Sequence, residues 1–293
     1  MAPFSLRVLT SNIRYAAPGD AYEKPWSVRG PLLIKTVSEL TATAIASNTI
    51  PVIGMQEVLH EQLVDILAGL NNSNNSTDNS HTDTSNTDSK GNKEWNYLGT
   101  GRDDGDKKGE YCPILYQPAR AKLLSSTQNR RYVLVAVFEA AGDVESGTRF
   151  IFANTHLDNA SSEARSEGVG IVLSVIRDVQ TRFGPDLPVV LSGDFNSEPG
   201  QDAYEAVVKD GYLADSWALA GEGEGVRVGD YETYTGFNPG EIEKVKARID
   251  FLWLGPNAAD TWIVGRYEVV DNVVNGVFFS DHRPVFVDVA LRT

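Results

Sequence analysis

An α/β protein, built from two blocks that each mix strands with helices, is what this sequence predicts. Short apolar runs such as Leu6–Ile13 and Pro188–Ser192 carry apolar residues on both alternating faces, as strands covered on both sides do. Longer segments repeat apolar residues at helical spacing, as Leu33, Val37, Leu40 and Ala44 do within Pro31–Ser47. No linker of distinct composition separates the blocks, so one domain over residues 1–293 is expected, with a site between its halves.

Leu6–Ile13 is the first strand and Pro31–Ser47 the first helix. Pro51–Gly54 is a short strand that delivers Gln56 and Glu57. Leu59–Leu70 is a second helix, with Leu59, Leu63, Ile66, Leu67 and Leu70 on one face. Residues 71–92 read NNSNNSTDNSHTDTSNTDSKGN and contain no large apolar residue. Such a segment buries too little surface to offset its ordering entropy, so a disordered surface insertion is expected, with His81 a solvated loop residue. Strands follow at Trp95–Thr100, Tyr111–Tyr116, Arg131–Glu139 and Arg149–Thr155. Ser161–Phe183 is a long helix, Pro188–Ser192 a strand and Gln201–Lys209 a short helix. Gly221–Asp230, rich in Gly and Glu, reads as an exposed loop. Strands at Lys246–Leu254, Thr261–Val269 and Pro284–Leu291 close the chain.

The chain of 293 residues is 41% hydrophobic and 23% charged, the composition of a soluble globular protein. Its net charge is −14, from 40 acidic against 26 basic residues. That balance weakens the case for a long polyanion gripped through its backbone, and leaves a small phosphorylated ligand open. The single cysteine, Cys112, excludes an internal disulfide and a cysteine-based zinc site. The first residues lack the apolar core of a signal peptide, and no run approaches the roughly 18 apolar residues of a membrane span. A cytoplasmic monomer with no membrane or protein partner is expected.

Five motifs carry the chemistry: SNIR at Ser11–Arg14, GMQE at Gly54–Glu57, NTHLDN at Asn154–Asn159, GDFNSEP at Gly193–Pro199 and SDHRP at Ser280–Pro284. Each puts a carboxylate, an amide or an imidazole at the end of a strand-like run. Asn12 and Glu57 offer hard oxygen donors suited to Mg2+ or Mn2+. Alone, Asn12 would read as a turn residue and Glu57 as a neighbour of a helix cap. Asp194 and Asn196 sit two apart, which in extended backbone puts both on one face; one can hold a metal or an attacking water, the other a phosphate oxygen. The bland alternative, a plain turn, is weighed against this particular run of residues. Two of only 4 histidines lie beside carboxylates. His282 can act as a general base or as a positive group beside phosphate; His156 can protonate a leaving oxygen or stabilise the transition state. Asp158 and Asp281 are candidate orienters or metal ligands. Asp250, amid apolar residues in RIDFLW, needs a partner, and a histidine would serve; Glu110, at the head of EYCPILY, has the same character. Arg14, Arg29, Arg102 and Arg165 are candidate phosphate contacts, as Arg248 is by position, although solvated surface arginines are the common alternative. Tyr111, with Tyr15, Trp26, Trp217, Tyr234 and Phe237, is a candidate pocket wall.

Taken together, these motifs resemble the endonuclease/exonuclease/phosphatase superfamily, almost end to end from SNIR to SDHRP. The motif style, with SNIRY, GRDDG and GEYCPILY, is nearest the deadenylase and nocturnin side. The resemblance implies a four-layer αββα sandwich of two mixed β-sheets flanked by helices. It implies Asn12 and Glu57 as metal ligands, with Asp281 beside them, and His156 as a catalytic histidine paired with Glu110. Asp194 and Asn196 would orient water and phosphate, with Asp250 supporting His282. The implied reaction is in-line attack of water on phosphorus, assisted by Mg2+, with Mn2+ as the other candidate. A small phosphorylated substrate is preferred to nucleic acid, because basic DNA-facing loops are missing. A 3′–5′ exonuclease or endonuclease is the alternative within this class, and an inactive binding module of the same fold the alternative outside it.

Overall fold

In chain order the elements are β1 (Ser5–Asn12), α1 (Trp26–Ala46), β2 (Ile50–Gln56), α2 (His60–Ser73), β3 (Asn96–Leu98), β4 (Ile114–Tyr116), β5 (Ala121–Asn129), β6 (Val133–Ala140), β7 (Arg149–His156), α3 (Ser162–Phe183) and β8 (Val189–Asp194). They continue with α4 (Asp202–Asp210), β9 (Ala214–Asp215), α5 (Ser216–Glu222), β10 (Val226–Val228), α6 (Ile242–Val245), β11 (Asp250–Gly255), α7 (Ala258–Thr261), β12 (Trp262–Val269), β13 (Val273–Val274), β14 (Val277–Phe278) and β15 (Val285–Leu291). The structure is a computed structural model and describes residues 3–19, 21–73, 95–129, 132–142, 147–223 and 225–292.

Two large mixed sheets result. One runs β10-β12-β15-β1-β2-β4-β3, the other β5-β6-β7-β8-β11-β9. Each has a parallel pair at its heart, β1 with β2 and β7 with β8. Each of those pairs is flanked by an antiparallel strand, β15 beside β1 and β11 beside β8. Apolar residues on both faces of these strands explain the layering. Leu6, Val8, Ile50, Val52, Phe138, Phe152, Val190 and Leu252 are buried in the cluster between the sheets. Leu9, Ile53, Leu33, Val37, Leu63 and Ile66 join the first sheet to α1 and α2. Ile151, Val189, Leu191, Val172, Ile176 and Val207 join the second sheet to α3 and α4. The four layers are therefore helix, sheet, sheet and helix. Each fully buried Leu, Ile or Phe side chain contributes about 1.5–3 kcal/mol.

Local signals set the helix ends. Ser161 caps α3 by accepting from the Ala164 amide at 3.1 Å, and Gly184 ends it. The helix α1 starts at Trp26, five residues before Pro31, so Pro31 lies inside it and not at its start. The expected loop at 221–230 contains β10, whose parallel pairing with β12 gives Val226–Val228 a partner remote in sequence. Most of the expected insertion at 71–92 lies outside the described residues. Its first three residues, Asn71–Ser73, finish α2, and Asn71 Oδ1 accepts from the Trp95 amide at 2.7 Å.

The sheets also meet through a buried polar layer under the motif ends. Gln56 Nε2 donates to Asn154 Oδ1 at 2.7 Å, and Asn154 Nδ2 donates to the Met55 and Pro113 carbonyls at 2.8 and 3.0 Å. Ser192 Oγ donates to Asn154 Oδ1 at 3.0 Å. Gly54 leaves room for this layer: a Cβ there would lie 2.3 Å from Ser192 Oγ and 2.6 Å from Asn154 Oδ1. The variant Gly54→Ala is expected to lose about 1–3 kcal/mol of stability through this overpacking. Urea denaturation would show it as a lower midpoint, and an unchanged midpoint would refute it.

Candidate active site

The parallel pairs aim their C-terminal ends at one pole. Register brings Asn12 opposite Gln56 at the ends of β1 and β2, and His156 opposite Asp194 at the ends of β7 and β8. Asp250, the first residue of β11, pairs across from Asp194. Gly193 permits the close approach of β7, because a Cβ there would meet the Thr155 carbonyl oxygen at 2.2 Å. The Asn12 carboxamide joins the two sheets. Its Nδ2 donates to Glu57 Oε1 and to Asp194 Oδ2, both at 3.0 Å, and its Oδ1 accepts from the Arg14 amide at 2.9 Å.

Asp194 is the hub on the second sheet. Its Oδ1 accepts from the Asn196 amide at 2.8 Å. Its Oδ2 lies 3.6 Å from His156 Nε2 and 3.8 Å from His282 Nε2. Burial and the neighbouring Asp250 charge push its carboxyl above the usual range. His282 Nδ1 meets Asp250 Oδ2 at 2.8 Å, so the carboxylate fixes the tautomer and leaves Nε2 toward Asp194. Burial works against the imidazolium, but Asp250 and Asp194 outweigh it and hold the His282 pKa well above its ordinary value. The Asp250 backbone N–H donates to Thr233 Oγ1 at 3.0 Å. Asn196 Nδ2 stands 3.2 Å from His156 Nε2 and donates to the Leu157 carbonyl at 3.0 Å.

Glu57 is half-buried on the first-sheet side, yet its carboxyl is held low. Burial raises it, and His156, the Asn12 amide and His282 together overcome that. Asp281 is pushed up by burial, opposed by His282 and reinforced by Glu57. Arg14 and Glu57 are the two described residues with left-handed backbone that are neither Gly nor Asn, at φ 56° and 59°. Strain of about 1–3 kcal/mol per residue, held in place by surrounding structure, is typical of functional sites. Four carboxylates, Glu57, Asp194, Asp250 and Asp281, thus share the pole with Arg14 and two imidazoles. Asp250 Oδ1 is buried without a hydrogen-bond partner among the described residues. The ligand atoms of Asp194, Asp250 and His282 lie within 4.8 Å of one another and could hold a metal ion. The four carboxylates of the pole, hard oxygens with an excess of negative charge, fit a divalent cation.

The other sequence candidates are placed differently. Glu110 does not hydrogen-bond His156; it forms an ion pair with Arg102, Nη1 to Oε2 at 3.1 Å, in a cleft that His156 also lines. Arg14 lies half-buried beside Glu23 at 3.4 Å and over the Tyr15 ring. Arg29 is fully buried; its Nη groups donate to the carbonyls of Ile13, Phe279, Arg14 and Tyr15 at 2.9–3.0 Å, with Glu23 at 3.5 Å, so they are turned to the scaffold. Arg165 clasps Asp202 at 2.6 and 2.8 Å, tying α3 to α4. Asp158 accepts from the Ala160 and Ser161 amides in the turn before α3. Tyr111 is buried, with its hydroxyl donating to the Asp106 carbonyl at 2.7 Å. Arg248 is buried against Asp215, at 2.7 Å to each oxygen. Two supporting residues were given no role by the sequence reading: Thr233, and Ser280, whose Oγ donates to the Asn12 carbonyl at 2.7 Å; Tyr234, a candidate pocket wall, stands with its ring edge-on to His282. Only the position of Ser280 next to Asp281 signalled its involvement.

Such a pole, two sheets ending in carboxylates, amides and paired imidazoles, has the groups that phosphoester hydrolysis needs. The chain belongs to the Endonuclease/Exonuclease/phosphatase family, whose sequence pattern matches residues 9–282. It is 33% identical to human 2′,5′-phosphodiesterase 12 over 115 residues, 38% of this chain and 18% of that protein. It is 25% identical to mouse nocturnin over 156 residues, 50% of this chain and 35% of that protein. The matches thus span about a fifth and a third of those relatives' lengths. In structure it is similar to an endonuclease/exonuclease/phosphatase from Bacteroides vulgatus, with TM-score 0.73, 26% identity, and 98% and 99% of the two chains covered. The human nocturnin catalytic domain with bound sulfate shares the fold, with TM-score 0.67, 17% identity and coverage of 98% and 94%. Among the described residues no helix is long and apolar enough to cross a membrane.

Arg29 bridges the segment after Asn12 to the one before Ser280. Arg29→Met is expected to cost about 3–5 kcal/mol, since it strips buried carbonyls of their charged donor. Thermal melting would measure the loss, and a variant as stable as the parent would contradict this role.

Proposed function

We propose that the enzyme hydrolyses small phosphate esters with the help of Mg2+, by in-line attack of water on phosphorus. The observation that supports this most directly is the convergence on Asp194 Oδ2 of Asn12 Nδ2, His156 Nε2 and His282 Nε2, at 3.0, 3.6 and 3.8 Å. Asp194 is placed to orient the attacking water and take its proton, and its raised pKa makes it a stronger base than an exposed carboxylate. His282, held charged by Asp250, presents a positive Nε2 to the phosphoryl oxygens as charge develops. Asn196 donates to a phosphoryl oxygen from the adjacent position. His156, next to the cleft, serves the leaving oxygen. Asn12, Glu57 and Asp281 would hold the cation, which supplies charge neutralisation at phosphorus and lowers the pKa of bound water. Arg14, half-buried and 28% exposed at its side chain, is the arginine best placed to meet the phosphate.

The net charge of −14 supports a small substrate over a polymer. A phosphodiesterase or nuclease is the second reading, favoured by the curated relatives named 2′,5′-phosphodiesterase 12 and nocturnin. A panel of sugar phosphates, nucleotides, bis-p-nitrophenyl phosphate and single-stranded RNA and DNA separates the two. Release of phosphate from monoesters in Mg2+, abolished by EDTA, is expected, with oligonucleotides intact; stepwise shortening of oligonucleotides would favour the second reading. Asp194→Ala and His282→Ala are each expected to lower kcat by about 10²–10⁴-fold. Activity indifferent to both would sink the mechanism. Asp250→Asn removes the charge that holds His282 and is expected to lower kcat within the same range of about 10²–10⁴-fold, with KM changed far less. Equal losses in kcat and substrate affinity would argue that Asp250 only supports binding.

A further inference from the structure

A buried asparagine grips the turn that carries Asp281. Asn272, 1% exposed, stands just before the hairpin of β13 and β14, and its carbonyl accepts from the Phe279 amide at 3.0 Å where the hairpin closes. Its side-chain Nδ2 donates to the Ser280 carbonyl and to Thr235 Oγ1, both at 2.8 Å. Thr235, itself fully buried, donates its amide to the Asp281 carbonyl at 2.8 Å. Its hydroxyl lies 3.1 Å from the same oxygen and 2.9 Å from the Gly236 carbonyl.

The two gripped carbonyls flank Asp281. That of Ser280 belongs to the peptide plane before the Asp281 Cα, and that of Asp281 to the plane after it. A residue has two soft backbone dihedrals, and fixing the planes on both sides of one Cα fixes both. The direction of the Asp281 side chain is thereby set, and with it the place of the carboxylate among Glu57, Arg14 and His282. Ser280 Oγ ties the same turn to the end of β1, donating to the Asn12 carbonyl at 2.7 Å and accepting from the His282 amide at 3.2 Å.

The chemistry of the amide points to the same task. The Ser280 carbonyl can only accept, so Nδ2 must face it and Oδ1 must face away. Asn272 Oδ1 is buried with no hydrogen-bond partner among the described residues. A half-satisfied buried amide is destabilising, and a leucine of similar size would avoid that cost. What asparagine supplies and leucine lacks is the pair of donors, one for the Ser280 carbonyl and one for Thr235.

We infer that Asn272 is a positioning residue for the cation: together with Thr235 it holds the backbone of Asp281 so that the carboxylate meets a divalent ion. The inference rests on the proposed role of Asp281 as a ligand and deepens it by naming what sets the affinity of that site.

The test titrates Mn2+ alone into the metal-free full chain and reads the free ion by electron paramagnetic resonance, in the parent, Asn272→Leu, Asn272→Ser and Asp281→Asn. Asn272→Leu is expected to weaken Mn2+ binding at least about tenfold, toward the value for Asp281→Asn, as loss of a partner that orients a metal ligand does. Asn272→Ser, too short to reach both oxygens, is expected to weaken it at least about threefold, and it decides the matter if the leucine variant does not fold. A misfolded fraction lowers the number of sites and leaves the affinity of the folded ones unchanged, so a purely structural role would not move the dissociation constant. Both Asn272 variants within about twofold of the parent, with Asp281→Asn weakened, would overturn the inference and leave the ligand role of Asp281 standing. A parent that binds no Mn2+, or binds it no more tightly than Asp281→Asn does, would remove that role and the inference with it.

Discussion

Everything at the pole depends on one carboxamide. Asn12 reaches from the first sheet to Glu57 on its own side and to Asp194 on the other, each at 3.0 Å. Two acceptors on separate sheets must stay within a single amide's reach, so the sheets cannot slide without breaking a buried hydrogen bond. The layer beneath, Gln56 to Asn154 and Ser192, repeats the constraint one step further in. Buried polar groups satisfied only across an interface impose one register on it, since each lost partner leaves a desolvated group costing about 1–3 kcal/mol.

The electrostatics follow from that arrangement. Bringing Glu57, Asp194, Asp250 and Asp281 together is unfavourable unless positive charge is supplied. His282 and Arg14 supply part of it, and the rest of the imbalance makes the pole suited to a divalent cation. The same crowding separates roles among similar side chains. Glu57 is held low by His156 and Asn12 despite burial, whereas Asp194 is pushed up by burial and by Asp250. Two carboxylates so close, with pKa values driven apart, are the arrangement that lets one serve as ligand and the other as base.

Buried arginines show a second pattern. Arg29 and Arg248 are almost fully covered, and neither faces the reacting centre. Arg29 holds the Ile13–Tyr15 carbonyls to Phe279, and Arg248 locks the approach to β11 onto Asp215. Arg248 stands two residues before Asp250, and Arg29 holds the carbonyls of Ile13 and Phe279, neighbours of Asn12 and Asp281, so they stabilise where the site residues are, not what they touch. In sequence these arginines look the same as Arg102, which is half-exposed in a cleft. Only the surroundings separate a buried scaffold arginine from a half-exposed one.

Strand-like runs with polar ends were legible in the sequence because the pleat alternates with period two and both faces are buried. The long helices were legible from their apolar spacing. The motif residues Asn12, Glu57, His156, Asp194, Asn196, Asp250, Asp281 and His282 stood out because polar side chains at the ends of apolar strands are costly without a purpose. The sequence did not reveal β5, whose AKLLSSTQN run is largely polar, or β10, which depends on a partner some forty residues away. It could not pair Glu110 with Arg102, send Arg29 to four carbonyls, or find Thr233 and Ser280 beneath Asp250 and Asn12. Local sequence determined the buried strands that carry the motifs and the long helices. Tertiary structure alone decided which charges neutralise one another, because pairing depends on distances between segments as much as 281 residues apart, and those exist only once the sheets have formed.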